Sequence, residues 1–256
     1  MRTISSFALL ALALLSTRVD AQRNPYDTET RRLEREVVRS GRSARGVLPL
    51  LRLVRFGGDT SPGTTKAALE RIARNRRVAP PLRALATAYG ARFFIDAGEP
   101  GRAEETYDEL GYLRDWRIMG PFDNEGRGGY SRELPPEAAR NRPVDLNASF
   151  RGREREVRWR TYPKVVDRYG YVNLDAVMRP WVNVCSVAET FVRVDRARPM
   201  SLWLGAGGAA KVYFNGERVL EDDVYRAATF DRQVALVGAR EGWNRILIKN
   251  CVNDRS

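Results

Sequence analysis

The stretch DWRIMGPFDNEGRGGY, residues 115–130, marks an abrupt change in the character of the chain. The sequence before it is rich in alanine, leucine and arginine, whereas the sequence after it has short apolar runs separated by Pro, Asn and Gly. The first pattern is typical of helices and the second of strands joined by turns. The sequence therefore predicts a helical domain over residues 22–114 and a β-rich domain over residues 115–256.

The glycines of this stretch raise the question of a phosphate-binding loop. Such a loop follows a strand and opens a helix, so that backbone N–H groups converge on the anion. Gly126, Gly128 and Gly129 match neither a dinucleotide-binding nor a P-loop spacing, and the following residues 130–136 do not have the pattern of a helix start. We interpret the stretch as the boundary between two modules.

Three adjacent polar residues in the same stretch, Asp123, Asn124 and Glu125, carry the side-chain oxygens that Ca²⁺ prefers. Ca²⁺ takes six or more oxygen ligands, however, and three consecutive polar residues are more often a solvated loop. The sequence therefore predicts no metal and no cofactor, with these three residues as the calcium alternative.

The first 21 residues have the pattern of an export signal. Arg2 supplies a positive start, residues 7–15 form a continuous apolar run, and Ala21 ends a group of small or medium residues of the kind a signal peptidase reads. The apolar run is too short to span a bilayer as a helix. We expect cleavage after Ala21, no stable membrane span afterwards, and a periplasmic or extracellular protein; an uncleaved anchor is the alternative.

The formal net charge of +12 comes almost entirely from arginine. An excess of basic residues can indicate a nucleic-acid-binding protein. Abundant Arg, Ala and Gly with few Lys also follows from GC-rich codons, and an exported chain meets little nucleic acid. We therefore predict a protein or glycan partner and no nucleic acid.

The chain contains no histidine and two cysteines. The Ser-His and Cys-His nucleophile systems lack their base, and the common zinc sites lack their ligands. Chemistry based on carboxylates alone stays open, but no spacing singles out a pair. The sequence therefore predicts no catalytic residues and a chain that is not an enzyme.

The apolar spacing in the first region predicts five helices, at residues 27–38, 43–56, 64–76, 80–98 and 101–112. In the last two, Gly98 ends one helix, Ala103 follows five residues later, and Tyr107 lies one turn further on. This pattern resembles the tetratricopeptide helical hairpin, in which a small residue lets the paired helices approach closely. A plain antiparallel helix pair is the alternative.

The second region predicts an antiparallel β-sandwich of many short strands. The expected strands are residues 116–120, 156–162, 170–174, 181–194, 201–204, 210–214, 232–237 and 244–252. Asn215 and Gly216 predict a two-residue hairpin turn, because both residue types tolerate positive φ angles. The fold class is therefore α+β by domain, with helical hairpins followed by a sandwich.

Three motifs follow one another along this second region. They are Trp116 with Gly120, Pro121 and Phe122; Lys211 and Val212 with Asn215 and Gly216; and Gly242 with Asn244. Together they resemble the galactose-binding-like jelly-roll module, which is widely appended to exported glycoside hydrolases and other bacterial surface or periplasmic proteins. The resemblance covers most of residues 116–252 and implies a β-sandwich, but says little about its ligand.

The order of helices and sandwich also resembles the front portion of large exported bacterial proteins that carry a transglutaminase-like domain. The resembled module usually adds a strand after Val252, so we expect a sandwich truncated at its C-terminus. The sequence favours a non-catalytic exported interaction or scaffolding module with a carbohydrate-binding-like sandwich. The alternative is the accessory N-terminal part of a larger exported enzyme, of transglutaminase-like or glycoside hydrolase type, whose catalytic domain lies beyond Ser256.

Export and a count of two cysteines allow one intramolecular disulfide, between Cys185 and Cys251. Strand alternation puts Cys185 on one face with Glu189, and Cys251 on one face with Lys249, so we expect both sulfurs on the solvent side. In the resembled module the two strands lie close together. Two free thiols are the alternative, because the sequence does not give the Cα separation.

Overall fold

The structure is a computed structural model that describes residues 24–163, 169–229 and 231–254. The predicted signal segment and its cleavage site at Ala21 lie outside the described residues. The chain divides into two compact units, with the division between Pro100 and Gly101. No helix of the described residues is long and apolar enough to cross a membrane.

The first unit is helical, as the apolar spacing predicts. Its elements are α1 (Pro25–Ser40), a 3-10 turn (Ala44–Gly46), α2 (Val47–Arg55), α3 (Thr64–Arg74) and α4 (Pro80–Asp96). Buried apolar residues from all four helices form one core, among them Leu33, Leu50, Leu69 and Leu85. The helix α5 (Pro100–Glu109) begins at the unit boundary. The two helices of the tetratricopeptide-like hairpin, α4 and α5, thus fall on either side of that boundary, and the hairpin stays a prediction.

The second unit contains short helices and strands. The helices are α6 (Gly128–Ser131), α7 (Pro135–Ala138) and α8 (Leu174–Val177), with a 3-10 turn at Glu125–Arg127. The strands are β1 (Arg117–Asp123), β2 (Ser149–Arg151), β3 (Glu156–Arg158), β4 (Arg160–Thr161), β5 (Val184–Val194), β6 (Arg198–Leu204), β7 (Ala209–Phe214), β8 (Glu217–Asp222), β9 (Gln233–Ala239) and β10 (Gly242–Val252).

The strands pair antiparallel in a six-stranded sheet, ordered β4-β1-β5-β10-β7-β8, and in the two-stranded sheets β2-β3 and β6-β9. Helices followed by antiparallel sheets confirm the expected α+β arrangement. One face of the six-stranded sheet shares a hydrophobic core with β6 and β9, in which Phe214 and Ile246 pack with Val237 and Ala239.

The strand expected at residues 170–174 is wrong. The Asn173 side chain accepts a hydrogen bond from the backbone N–H of Ala176 at 3.1 Å and so caps the one-turn helix α8. Asparagine is a preferred N-cap residue because its side-chain oxygen satisfies a free N–H of the first turn. This local hydrogen bond outweighs the strand propensity of the preceding residues.

The opposite face of the six-stranded sheet is also covered. The segment between β1 and β5 folds back over it, and Tyr130, Leu134 and Val157 of that segment pack against sheet residues such as Val187 and Leu247. The sheet is therefore buried on both faces over much of its area.

The expectation that Cys185 and Cys251 face solvent is wrong for this reason. Both are fully buried in the core between the six-stranded sheet and the segment that covers it, where they form a disulfide. They stand directly opposite each other in the register of β5 and β10, with a Cα–Cα distance of 4.0 Å. Glu189 and Lys249 share this face and are also buried, so alternation groups these residues correctly but does not show that a second layer covers them.

The one-turn helix α6 begins within the glycines of the opening stretch, at Gly128, and α7 begins at Pro135, so the expectation that no helix starts in residues 130–136 is also wrong. The helix α6 brings Gly129 against the disulfide. A Cβ added at Gly129 would lie 2.3 Å from the carbonyl oxygen of Asp123 and 2.9 Å from the Cys185 sulfur. Gly129 is thus required for the close approach of α6 to the sheet.

We expect Gly129→Ala to lower the free energy of unfolding by about 2–3 kcal/mol, because an overpacked site forces backbone to move. Gly128→Ala is the matched control: its added Cβ would have the Arg132 guanidinium as its nearest atom, at 4.0 Å. That variant should stay within about 0.5 kcal/mol of the parent. Urea unfolding of the three proteins measures the difference, and equal losses for both variants would contradict the packing argument.

Candidate functional site

The Asn-Gly motif lies in the turn between β7 and β8. Asn215 and Gly216 have φ angles of 51° and 87°, and they connect Phe214 to Glu217, which are paired in the register. The Asn215 amide nitrogen donates to Oδ1 of Asn244 at 2.8 Å. Its oxygen accepts from the backbone N–H of Arg245 at 2.9 Å, which ties the turn to β10.

Asn244 closes the turn between β9 and β10. Its side chain is fully buried, accepts from the backbone N–H of Arg240 at 3.0 Å, and donates to the carbonyl oxygens of Arg240 and Gly242. The asparagines of the two later motifs therefore hold turns together and are occupied by these contacts.

The three calcium candidates have protein partners. Glu125 pairs with the guanidinium of Arg153 at 2.9 Å, and Asp123 lies 3.9 Å from the same group. Asn124 is buried and donates to the carbonyl oxygen of Val252 at 3.0 Å. An arginine thus stands between the two carboxylates, and in the described part of the chain no three His, Cys, Asp or Glu residues are grouped to hold a metal ion.

A buried ionic cluster lies under α7, on the face that carries the disulfide. The Lys249 ammonium donates to Glu137 at 2.8 Å, and to the carbonyl oxygens of Tyr130 and Arg132 at 3.0 and 2.7 Å. The Tyr213 hydroxyl donates to the other oxygen of Glu137 at 2.7 Å. Burial lowers the pKa of Lys249, and the hydrogen bond to Glu137 opposes that effect. Because these groups satisfy one another, we interpret the cluster as a structural tie between α7 and the sheet.

The pKa of Asp231, which lies just before β9, is also shifted from its ordinary value. Burial raises the pKa of its carboxyl from 3.8 to about 6. A carboxylate whose pKa rises on folding destabilises the fold above that pKa and has no effect below its unfolded value.

We therefore expect Asp231→Asn to stabilise the protein at pH 7–8 and to leave stability unchanged near pH 4. Asparagine tolerates the positive φ of 47° at this position. A shift of about two units corresponds to about 3 kcal/mol, and residual solvent contact reduces the expected gain to roughly 1–2 kcal/mol. Unfolding curves of both proteins between pH 4 and 8 test this, and a gain that does not vary with pH would contradict it.

A cleft of about 330 Å³ opens on the other face of the sheet, over the start of β5 and the end of β10. We call it the tyrosine cleft. Trp116, Ala188 and Ile248 lie at its apolar floor, while the segment 170–175, Leu204 and the small residues of 205–207 and 227–228 line its sides. Its volume is within the range of small-molecule sites.

The rim of the tyrosine cleft combines an aromatic ring with polar groups. Tyr171 is 60% exposed, and Asn173, Asp175 and Asn250 line the same cleft. The Asn250 amide donates to the carbonyl oxygen of Gly207 at 2.5 Å, which fixes one wall. An exposed ring beside amide and carboxylate groups can stack on one face of a ligand and hydrogen-bond to its hydroxyls. The sequence did not reveal this site, because residues 170–174 were expected to form a strand.

Solved structures similar to this chain are bacterial beta-glucuronidases. A beta-glucuronidase from an uncultured Clostridium species is 16% identical, with a TM-score of 0.31 over 54% of this chain and 21% of that chain. The Ruminococcus gnavus beta-glucuronidase is 15% identical, with a TM-score of 0.31 over 54% of this chain and 20% of that one. The chain thus spans about a fifth of the length of these structures. No protein-family model and no curated protein matches the chain.

The prediction that the chain is not an enzyme is contradicted by these matches, which are to beta-glucuronidases. The prediction was wrong because it gave too much weight to the absence of histidine. A lack of imidazole excludes imidazole-dependent chemistry, whereas glycoside hydrolysis needs a pair of carboxylates whose separation in space the sequence does not give.

Proposed function

We propose that the second unit is a galactose-binding-like β-sandwich, that it serves as a carbohydrate-binding accessory part of a larger exported enzyme, and that the tyrosine cleft is its binding site. In this proposal residues 1–21 direct export, and residues 22–114 and 115–256 form the helical and sandwich modules. The observation that carries the proposal is the exposed ring of Tyr171 at the rim of a cleft with an apolar floor and polar sides.

Two features of the fold support this proposal. The β6-β9 pair and the six-stranded sheet share one hydrophobic core, which is the layer arrangement of a sandwich. The disulfide between Cys185 and Cys251 is consistent with an oxidising compartment outside the cytosol.

A glycan array with the purified protein, followed by calorimetry on the glycans it selects, tests the binding role. We expect Tyr171→Ala to weaken binding at least 10-fold, because the stacking ring is lost. Tyr171→Phe keeps the ring and should retain most of the affinity. An array without any bound glycan, or a Tyr171→Ala variant that binds like the parent, would overturn the proposal.

A further inference from the structure

A second cleft lies on the face of the six-stranded sheet that carries the disulfide, at the end where β5 finishes and β10 begins. It has a volume of about 410 Å³, and we call it the arginine cleft. Its walls include Arg140, Arg142, Arg240, Arg245, Phe191 and Trp243. Four of the described residues that line it are arginines, and none is acidic.

Two aromatic side chains form an exposed platform in the arginine cleft. Trp243 is 62% exposed and Phe191 is 40% exposed. In the register Trp243 stands opposite Arg193, and Phe191 stands opposite Arg245. The two rings are therefore diagonal neighbours on one face, close enough to be covered by a single ligand.

The arginines of this cleft have two different roles. Arg245 forms an ion pair with the buried Glu189, and its Nη1 donates to the carbonyl oxygens of Arg140 and Arg142 at 2.9 Å each, which holds the wall in place. The side chains of Arg142 and Arg240 are exposed, and no carboxylate in the described part of the chain forms an ion pair with either. Two guanidinium groups are thus presented to a ligand on a wall fixed by a third.

We propose that the arginine cleft binds an acidic polysaccharide. Its sugar rings stack on Trp243 and Phe191, and its carboxylate or sulfate groups pair with Arg142 and Arg240. A guanidinium matches the planar, bidentate geometry of such oxyanions, and flat aromatic rings match the faces of sugar rings. Stacking on exposed aromatics within a basic groove also suits single-stranded nucleic acid. The disulfide favours the polysaccharide, because it is compatible with an exported protein, which meets little nucleic acid.

Affinity electrophoresis and calorimetry with the full chain test this site. The probes are polygalacturonate and heparin as acidic polysaccharides, dextran as a neutral one, oligo-dT as a nucleic acid, and polyglutamate as an acidic peptide. We expect binding to at least one acidic polysaccharide, weakened by added salt, and no binding to dextran. Preference for oligo-dT would assign the cleft to nucleic acid. Equally strong binding of polyglutamate would show that the cleft recognises negative charge alone. Either result would overturn the proposal.

Variants separate this site from the rest of the surface. Trp243→Ala and the double variant Arg142→Ala with Arg240→Ala should each weaken polysaccharide binding at least 10-fold. The matched controls are Trp181→Ala, which removes a tryptophan 48% exposed elsewhere, and Arg92→Ala, which removes an exposed arginine of the first unit. Tyr171→Ala should leave binding of the acidic polysaccharide unchanged. The proposal for the arginine cleft and the proposal for the tyrosine cleft can therefore fail independently of each other. Equal losses in the variants and the controls would overturn the assignment.

Discussion

Replacing Lys249 with methionine is expected to lower the free energy of unfolding of the second unit by about 3–5 kcal/mol. Methionine has a similar shape and lacks the charge, so Glu137 would be left as a buried carboxylate without its cation. Both side chains are almost completely buried, at 0% and 1% exposure. The large expected effect therefore comes from the unpaired charge that remains and not from lost packing.

A double-mutant cycle isolates the interaction. Combining Lys249→Met with Glu137→Gln should recover most of the loss, because neither charge is then unpaired. Arg32→Met is the matched control, since the ion pairs of Arg32 on α1 are solvent-exposed and are worth less than about 1 kcal/mol. Guanidinium unfolding is followed by far-UV circular dichroism, which reports the helices of the first unit and so the Arg32 control, and by tryptophan fluorescence, which reports the second unit because it contains all five tryptophans. A loss at Lys249 no larger than that at Arg32 would contradict this interpretation.

The helices of the first unit were predictable because their signals are local. The proline pair at residues 80–81 opens α4 at its first turn, where a missing N–H costs nothing. The apolar spacing predicts a helix over residues 64–76, and the structure has α3 at Thr64–Arg74 with Leu69 and Ile72 in the core. The Asn-Gly turn is local in the same sense, because two positive φ angles in succession select these residue types.

The segment between β1 and β5 was not predictable in this way. Its helices are single turns and its strands have three residues or fewer, so no periodicity develops. These elements form because Tyr130, Leu134 and Val157 pack on the sheet. Alternation shows which residues share a face, but the burial of Lys249 depends on this distant segment.

The shape of the two clefts depends on how far the segment between β1 and β5 extends over the sheet. The segment buries Leu247 and Cys251 of β10 but leaves Trp243 exposed on the same face. The sequence identifies the aromatic residues, whereas their exposure depends on where the cover ends. The rim of the tyrosine cleft likewise depends on the Asn173 cap, which turns the chain into a loop where alternation predicts a strand.

Removing the disulfide by Cys185→Ala with Cys251→Ala is expected to lower the free energy of unfolding by about 4 kcal/mol. The two cysteines are separated by 66 residues. In the chain-entropy model, a crosslink that closes such a loop lowers the conformational entropy of the unfolded chain by an amount worth about 4 kcal/mol. Replacing both sulfurs also leaves two small cavities in the core under Gly129, which adds to the loss. Alanine at both positions avoids a buried free thiol that would confuse the comparison.

Two measurements make this last prediction specific to the bond. Mass spectrometry after alkylation of the unfolded chain should find no modified cysteine without reductant, and two modified cysteines after reduction. Adding reductant should shift the unfolding midpoint of the parent protein and leave that of the double variant unchanged, because the variant has no bond to break. Two alkylated thiols in the untreated protein would show that the pair is not bridged. A midpoint that responds to reductant in both proteins would show that the effect does not arise from Cys185 and Cys251.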